Sequence, residues 1–164
     1  MQAHEAVLPL QLKTLKLSSF HQYWAESASF AQQEGWDYGH YLSRLCELEI
    51  QKRQVSRLAR RIKESSLPSN KTLSNFDFKA NASIKPAQIN ALAESDTWLR
   101  QSQNLIIFGP SGVGKTHIAS AIAYRQIELG HRVKYYSTSH LVQLLQQAKV
   151  QLRLKDLLVK LERN

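Results

Sequence analysis

A glycine-rich segment of eight residues constrains the fold of this chain more than any other feature: Gly109-Pro110-Ser111-Gly112-Val113-Gly114-Lys115-Thr116. It matches the pattern G-x-x-x-x-G-K-[ST] in full. An apolar run at residues 104–108 comes directly before it and predicts a short, fully buried strand. Residues 115–129 follow it with apolar side chains at helical spacing. A strand, a glycine loop and a helix in this order predict a phosphate-binding loop.

The residue types in this segment suit the phosphates of a nucleoside triphosphate. Glycines allow backbone conformations that are closed to residues with a Cβ atom, so consecutive N–H groups can point at one anion. The helix expected to begin near Lys115 adds its positive N-terminal end, and the Lys115 ammonium reaches the β- and γ-phosphates. The Thr116 hydroxyl is expected to bind Mg²⁺. We therefore predict a binding site formed by Gly109, Pro110, Ser111, Gly112, Val113, Gly114, Lys115, Thr116 and His117, with Thr116 as the metal ligand.

The segments around the loop predict an α/β fold. Gly130 is expected to end the helix after the loop, and residues 132–136 predict a second strand. Further helices are expected at residues 86–100, before the loop, and at about 138–149 and 151–163, after it. Strands that alternate with helices are typical of a parallel sheet. Residues 81–164 are therefore predicted to form a partial parallel sheet with flanking helices.

The first part of the chain predicts a different organisation. Residues 8–64 show helical spacing of apolar side chains, with an expected break at residues 34–39. Residues 65–71 are rich in Ser, Asn and Pro, which is typical of a linker. The sequence thus predicts a small all-α N-terminal domain at 8–64, a linker at 65–80 and the nucleotide-binding part at 81–164.

The charge balance indicates a polyanionic partner. The net charge is +9 and the isoelectric point is near 9.8, which favours nucleic acid or an anionic surface. At helical spacing, four arginines fall opposite the apolar face of the second predicted helix and could contact DNA phosphates: Arg53, Arg57, Arg60 and Arg61. The alternative is a solvated helix face that Glu47, Glu49 and Glu64 partly neutralise.

Composition excludes several classes of protein. The single cysteine, Cys46, can form neither an intramolecular disulfide nor a cysteine-based zinc site by itself. The longest run of aliphatic or aromatic residues, at 105–108, is far shorter than the roughly 20 residues that span a bilayer. We therefore expect a cytoplasmic protein without a membrane partner.

At this point the motifs together resemble those of IstB-like ATP-binding proteins, the AAA+ helpers of insertion-sequence transposition, which are related to DnaC-type helicase loaders. The resemblance begins with the basic segment KRQVSRLARRIK at 52–63 and the segment Thr72-Leu73-Ser74-Asn75-Phe76-Asp77-Phe78. It continues through Trp98-Leu99, the glycine loop and Gly130-His131-Arg132-Val133, and covers nearly all of residues 8–164. The order and spacing of these segments are more specific than the loop alone.

The resemblance implies an AAA+ P-loop NTPase that binds ATP and Mg²⁺, contacts double-stranded DNA, assembles on DNA and recruits or regulates a transposase. It also implies that the first and second strands are not neighbours in the sheet. Members of the family continue with a Walker-B strand and an arginine finger, which are not found in this sequence. The expectation is therefore a truncated form, and the sequence leaves open whether ATP is hydrolysed.

Other functions remain open on the sequence. A DnaC-like helicase loader would use the same segments. A small P-loop kinase normally places the glycine loop near its N-terminus, whereas 108 residues precede it here. A non-catalytic remnant that only binds ATP would explain the missing Walker-B strand.

Overall fold

The computed structural model describes residues 2–80 and 84–162. Most of these residues lie in eight α-helices. Two single turns of 3-10 helix lie at Leu73–Asn75 and Phe78–Ala80. The helices are α1 Gln2–Thr14, α2 Ser18–Gln33, α3 Tyr38–Ser65, α4 Pro86–Glu94, α5 Thr97–Arg100, α6 Lys115–Glu128, α7 Thr138–Val150 and α8 Leu154–Glu162. Contacts divide the chain into two units, Met1–Arg57 and Leu58–Asn164.

The first unit contains α1, α2 and most of α3. The break predicted at residues 34–39 is present between α2 and α3, because Gly35 takes a positive φ of 66° that ends α2. The Trp36 N–H then bonds back to the Ala31 carbonyl at 2.9 Å, and the Asp37 carboxylate accepts the His40 N–H at 2.6 Å near the start of α3. These local bonds fix the turn that joins the two helices.

The interior of the first unit is small. Leu12, Ala31 and Leu45 are its buried apolar side chains among the described residues. A carboxylate from α3, that of Glu49, is also buried and accepts the Ser19 N–H at the start of α2. The predicted apolar face of α3 is buried at Leu45, whereas Val55, further along the helix, is exposed.

The second unit is organised around α4 and α6. Ala93, Ile118 and Ile122 are buried together, and Phe76, Trp98 and Ile107 are among the partly buried side chains that pack on them. The buried Gln126 amide donates to the carbonyls of Ala93 and Ser95, which ties the end of α4 to α6. This packing fixes the start of α6, where the glycine loop ends.

The helix boundaries in this unit follow local signals. Gly130, at φ 103°, ends α6 as predicted, and the His131 N–H bonds to the Gln126 carbonyl at 2.9 Å. The Ser137 hydroxyl caps α7 by accepting the His140 N–H at 3.3 Å. The helix predicted at 86–100 is instead two helices, α4 and α5, separated at Ser95 and Asp96.

The predicted α/β fold is wrong. Neither residues 104–108 nor residues 132–136 form a strand, and the described ranges contain no sheet. The full burial expected of the first segment is wrong as well, because Ile106 and Phe108 are 68% and 86% exposed. In the second segment, the Tyr135 N–H bonds to the Ser65 carbonyl at 2.7 Å and not to another strand.

The physical reason for this error is that a strand exists only through hydrogen bonds to a neighbouring strand. A short apolar run reports a tendency to be buried, but it carries no information about the partner. The two segments do not pair with each other. Within the described chain, no third extended segment bridges them.

Among the described residues, no helix combines the length and the apolar character needed to cross a membrane.

Candidate phosphate-binding loop

The glycine loop joins the irregular segment at 104–108 to α6 and has the backbone that its sequence predicts. Gly112 has φ 80° and Gly114 has φ 92°, conformations that residues with a Cβ atom rarely adopt. Gly114 is the residue that precedes α6, and it takes a left-handed conformation there. The loop therefore turns sharply into the first turn of the helix.

The N-terminus of α6 has no side-chain cap. Gly114 provides no side-chain acceptor, and Ile118 donates to the Gly114 carbonyl at 2.9 Å. The preceding N–H groups, at residues 115–117, come before that bond and have no acceptor inside the helix. Donors at this position, together with the helix dipole, favour an anion in front of the helix.

Lys115 brings its positive charge back over the loop. Its Nζ atom donates to the Gly109 carbonyl at 2.9 Å and also to the Pro110 carbonyl. The ammonium thus lies beside the backbone at the start of the glycine loop. Other predicted site residues lie around it: Ser111 and Thr116 are exposed, and Val113 is partly buried.

The segment at residues 72–78, which comes before α4, packs against the end of the glycine loop. The Phe76 ring lies so close to Gly114 that a Cβ atom there would be 2.6 Å from Phe76 Cε2. Phe76 also meets the His117 ring edge to face, with centroids 5.1 Å apart, and His117 Nε2 lies 2.9 Å from the Thr72 carbonyl oxygen. His117 therefore contacts this supporting segment. Sequence reasoning missed the contact, because 41 positions separate Phe76 from His117 and no local pattern pairs them.

A cavity of about 510 Å³ lies beside the loop. Its lining includes Phe108, Pro110 and Val113 from the loop region, Ile89 from α4, and two cations, Lys85 and Lys115. Ligand pockets in proteins are typically about 300–1,000 Å³ and mostly apolar with a few polar groups. The cavity has the size and the positive charge to receive part of an anionic nucleotide.

The residues present fit a magnesium ion only in combination with a phosphate ligand. The described chain holds no group of three or more His, Cys, Asp or Glu side chains that could bind a metal ion. Mg²⁺ is commonly held by one or two protein groups together with substrate phosphates and water. The exposed Thr116 hydroxyl, in the first turn of α6, could supply such a protein group.

The four arginines predicted to contact DNA are all carried by α3, but their surroundings differ. In the first unit, Arg53 already has two partners within the chain. Its Nε atom donates to Glu49 Oε1 at 2.7 Å, and its terminal nitrogen donates to the Lys16 carbonyl at 3.0 Å. Arg57 is exposed. The ion pair with Glu49 matches the partial neutralisation considered as the alternative for this face.

The remaining two arginines belong to the second unit. Arg60 is exposed and makes a long contact, 3.9 Å, with the exposed Glu64. Arg61 is partly buried, and a Cβ atom at Gly130 would lie 3.7 Å from its terminal nitrogen. Arg57 and Arg60 are therefore the two arginines of the set that are exposed and free of a short ion pair in the described residues.

Comparison with known proteins matches the resemblance predicted from the motifs. A family profile described as IstB-like ATP binding protein matches residues 10–164. An insertion sequence ATP-binding protein of Sinorhizobium fredii is 39% identical over 97% of this chain and 53% of its own length. The IS5376 ATP-binding protein of Geobacillus stearothermophilus is 33% identical over 76% of this chain and 49% of its own length.

A further relative, the IS21 ATP-binding protein of Pseudomonas aeruginosa, is 30% identical over 90% of this chain and 56% of its own length. The chain thus spans about half the length of the curated relatives it matches. The matched region nevertheless includes the basic segment of α3, the Phe76 segment and the complete glycine loop. On this match, the chain belongs to the family of IstB-like ATP-binding proteins.

Proposed function

We propose that this chain binds ATP through residues 109–117 and acts as an ATP-binding helper of insertion-sequence transposition. The observation that carries the proposal is the loop itself: two glycines at positive φ lead into an uncapped helix whose first residue is Lys115. The family match and the names of the relatives support ATP as the nucleotide.

The residues divide the work of binding between them. Backbone N–H groups at the start of α6 donate to phosphate oxygens, and Lys115 exchanges its bonds to the Gly109 and Pro110 carbonyls for bonds to the same phosphates. The Thr116 hydroxyl would be a protein ligand of Mg²⁺, which neutralises phosphate charge when bound. Lys85, which lines the cavity beside the loop together with Lys115, adds a second positive charge for the phosphates.

The first prediction concerns Lys115. Replacing Lys115 with alanine is expected to weaken binding of a fluorescent ATP analogue by about tenfold or more, because a charge-assisted bond to phosphate contributes about 1.5–3 kcal/mol. Lys149→Ala removes an exposed lysine in the last turn of α7 and is the matched control. Equal affinity for the Lys115 and Lys149 variants would contradict the proposed site.

We further propose that the exposed arginines of α3 contact the phosphates of double-stranded DNA without reading its sequence. Arg57 and Arg60 are three residues apart on one helix, a spacing that brings side chains to the same face. Arg53 is paired with Glu49, so we expect it to contribute less to DNA binding than Arg57 and Arg60. We also propose recruitment of a transposase and self-assembly on DNA, which the family resemblance implies, although the chain spans about half the length of the curated relatives it matches.

The second prediction is a salt-dependent loss of DNA affinity. At about 0.1 M salt, Arg57→Glu with Arg60→Glu is expected to weaken binding to a DNA duplex by about tenfold, and the slope of log affinity against log salt should fall by about 2. The control, Lys149→Glu with Lys155→Glu, makes the same change in net charge on α7 and α8. DNA binding through α3 is wrong if both double variants lose the same affinity and the same slope.

A further inference from the structure

A pocket of about 640 Å³ lies within the first unit, between α2 and α3. Tyr23, Glu26 and Phe30 line it from α2, at positions three and four residues apart that share one face of the helix. Trp36 lines it from the turn between the helices, and Glu47 lines it from α3. Arg44 of α3 lines it as well, so the pocket combines aromatic rings with two carboxylates and one guanidinium, and the carboxylates outnumber the cation.

The aromatic rings of the pocket pack against one another. The Trp36 indole stacks on the His40 ring, with centroids 4.0 Å apart and planes 15° from parallel. Phe30 meets Trp36 edge to face at 5.2 Å, and its side chain is about half exposed. Aromatic faces attract cations through their quadrupole, Trp most strongly. Rings already fixed in place lose little side-chain entropy when a ligand binds.

The charge around the pocket is opposite to that of the rest of the chain. Residues 17–51 contain five acidic side chains and a single basic one, Arg44. Residues 58–164 contain sixteen Lys and Arg against seven Asp and Glu. Glu26 and Glu47 are exposed, and Arg44 makes a 3.6 Å contact with Glu47 alone among the described carboxylates. An acidic surface with aromatic rings repels phosphate and favours a cation.

We propose that this pocket binds the Lys or Arg side chain of a basic segment in a partner protein. Charge complementarity selects a cationic occupant, and the carboxylates exclude nucleic acid, even though the aromatic rings could stack on bases. A second copy of this chain is disfavoured as occupant, because its own excess positive charge is the part that DNA engages in the proposed function. The inference goes beyond that function and does not depend on ATP binding; it uses the proposed DNA binding only to set aside a second copy as the occupant.

The test is the binding of a labelled basic peptide to the full 164-residue chain. A fluorescein-labelled peptide of alternating Gly and Arg is mixed with increasing amounts of the chain at about 0.1 M salt, and its fluorescence anisotropy measures binding. A peptide of alternating Gly and Glu is the control for the sign of the charge. Glu26→Gln with Glu47→Gln is expected to weaken binding by about fivefold, and Trp36→Leu by about threefold. A matched variant, Glu34→Gln with Asp156→Asn, removes two exposed carboxylates outside the pocket and should change affinity by less than about twofold.

Several outcomes would overturn the proposal. Equal losses in the pocket and control variants would show attraction to overall charge, and equal binding of the Gly–Glu peptide would remove the cation selectivity. Competition by single-stranded DNA that requires Trp36 would assign the pocket to nucleic acid, whereas spermidine binding as tightly as the peptide would assign it to a free polycation. If the wild-type chain sediments as a dimer and the Glu26 and Glu47 changes make it a monomer, the pocket binds a second copy of the chain. If Trp36→Leu lowers the helical circular dichroism, the two glutamine changes, at exposed positions, still decide the matter.

Discussion

Alanine at Gly114 is expected to destabilise the unit formed by residues 58–164 by about 3 kcal/mol, and thereby to weaken ATP binding. Two separate costs add at this position. The backbone has φ 92°, which costs a residue with a Cβ atom about 1–2 kcal/mol. The new methyl group would also lie 2.6 Å from Phe76 Cε2 and 3.2 Å from Phe76 Cζ, and such overpacking typically costs about 1–3 kcal/mol.

Phe76 cannot move aside without further loss. Its ring packs against the buried group of Ala93, Ile118 and Ile122 and meets Phe78 edge to face at 4.8 Å. The ring would have to leave these contacts, or the start of α6 would have to shift. Either change disturbs the N–H groups that the proposed phosphate site uses.

A double-mutant cycle separates the two costs. With Phe76→Ala in place, the steric cost disappears and Gly114→Ala should cost only the backbone strain of about 1–2 kcal/mol. Gly112→Ala is the matched control, because Gly112 also has a positive φ but a Cβ atom there would have no neighbour within 4 Å. Urea unfolding followed by circular dichroism gives each free energy. Identical costs at Gly112 and Gly114, or additivity of the Phe76 and Gly114 changes, would show that the close approach contributes nothing.

The glycine loop shows how far local sequence signals reach. The pattern from Gly109 to Thr116 specified the positive φ angles and the start of α6, because both depend on residues within one turn of the chain. Gly130 and Ser137 fixed the helix end and the helix start near them for the same reason. Sequence signals of this kind act over a few residues and are read directly.

The predicted sheet failed because its evidence was of another kind. The residues at 105–108 are apolar, but their apolar character does not identify a hydrogen-bonding partner. Ile106 and Phe108 accordingly remain exposed. The sequence did not predict the contact between Phe76 and Gly114 either. These residues are 38 positions apart, and only the packing of the folded chain brings them together. The sequence contains the residues of such contacts, but not their pairing.

Glu49 is a second residue whose role depends on a distant partner. The sequence grouped it with Glu47 and Glu64 as a charge that neutralises the arginine face, and its 2.7 Å bond to Arg53 confirms that part. The structure adds that Glu49 is only 5% exposed and that its Oε2 atom accepts the Ser19 N–H, thirty residues earlier, at 2.7 Å. A carboxylate from α3 thus caps the N-terminus of α2, where negative charge also suits the helix dipole.

These contacts give Glu49 a pH-dependent effect on stability. Burial by itself raises the pKa of the Glu49 carboxyl, but the hydrogen bonds from Ser19 and Arg53 outweigh it, and the pKa lies below its ordinary value. A group whose pKa is lowered by folding stabilises the folded state above its unfolded pKa, and this stabilisation is lost as the pH falls through the folded pKa. The Glu49 network therefore contributes fully at neutral pH and progressively less below about pH 4.

Glu49→Gln is accordingly expected to lower the free energy of unfolding of the unit formed by residues 1–57 by about 2 kcal/mol at neutral pH, since two charge-assisted bonds become neutral or are lost. At about pH 3.5, below the ordinary glutamate pKa of about 4.3, the difference between the two proteins should be smaller than at neutral pH. Glu47→Gln, two residues away on an exposed side chain with one long contact to Arg44, should cost less than about 0.5 kcal/mol at either pH. Urea unfolding of the three proteins at both pH values measures these differences. A loss at Glu49 that is independent of pH would mean that the shape of the side chain, and not its charge at the start of α2, holds the helices together.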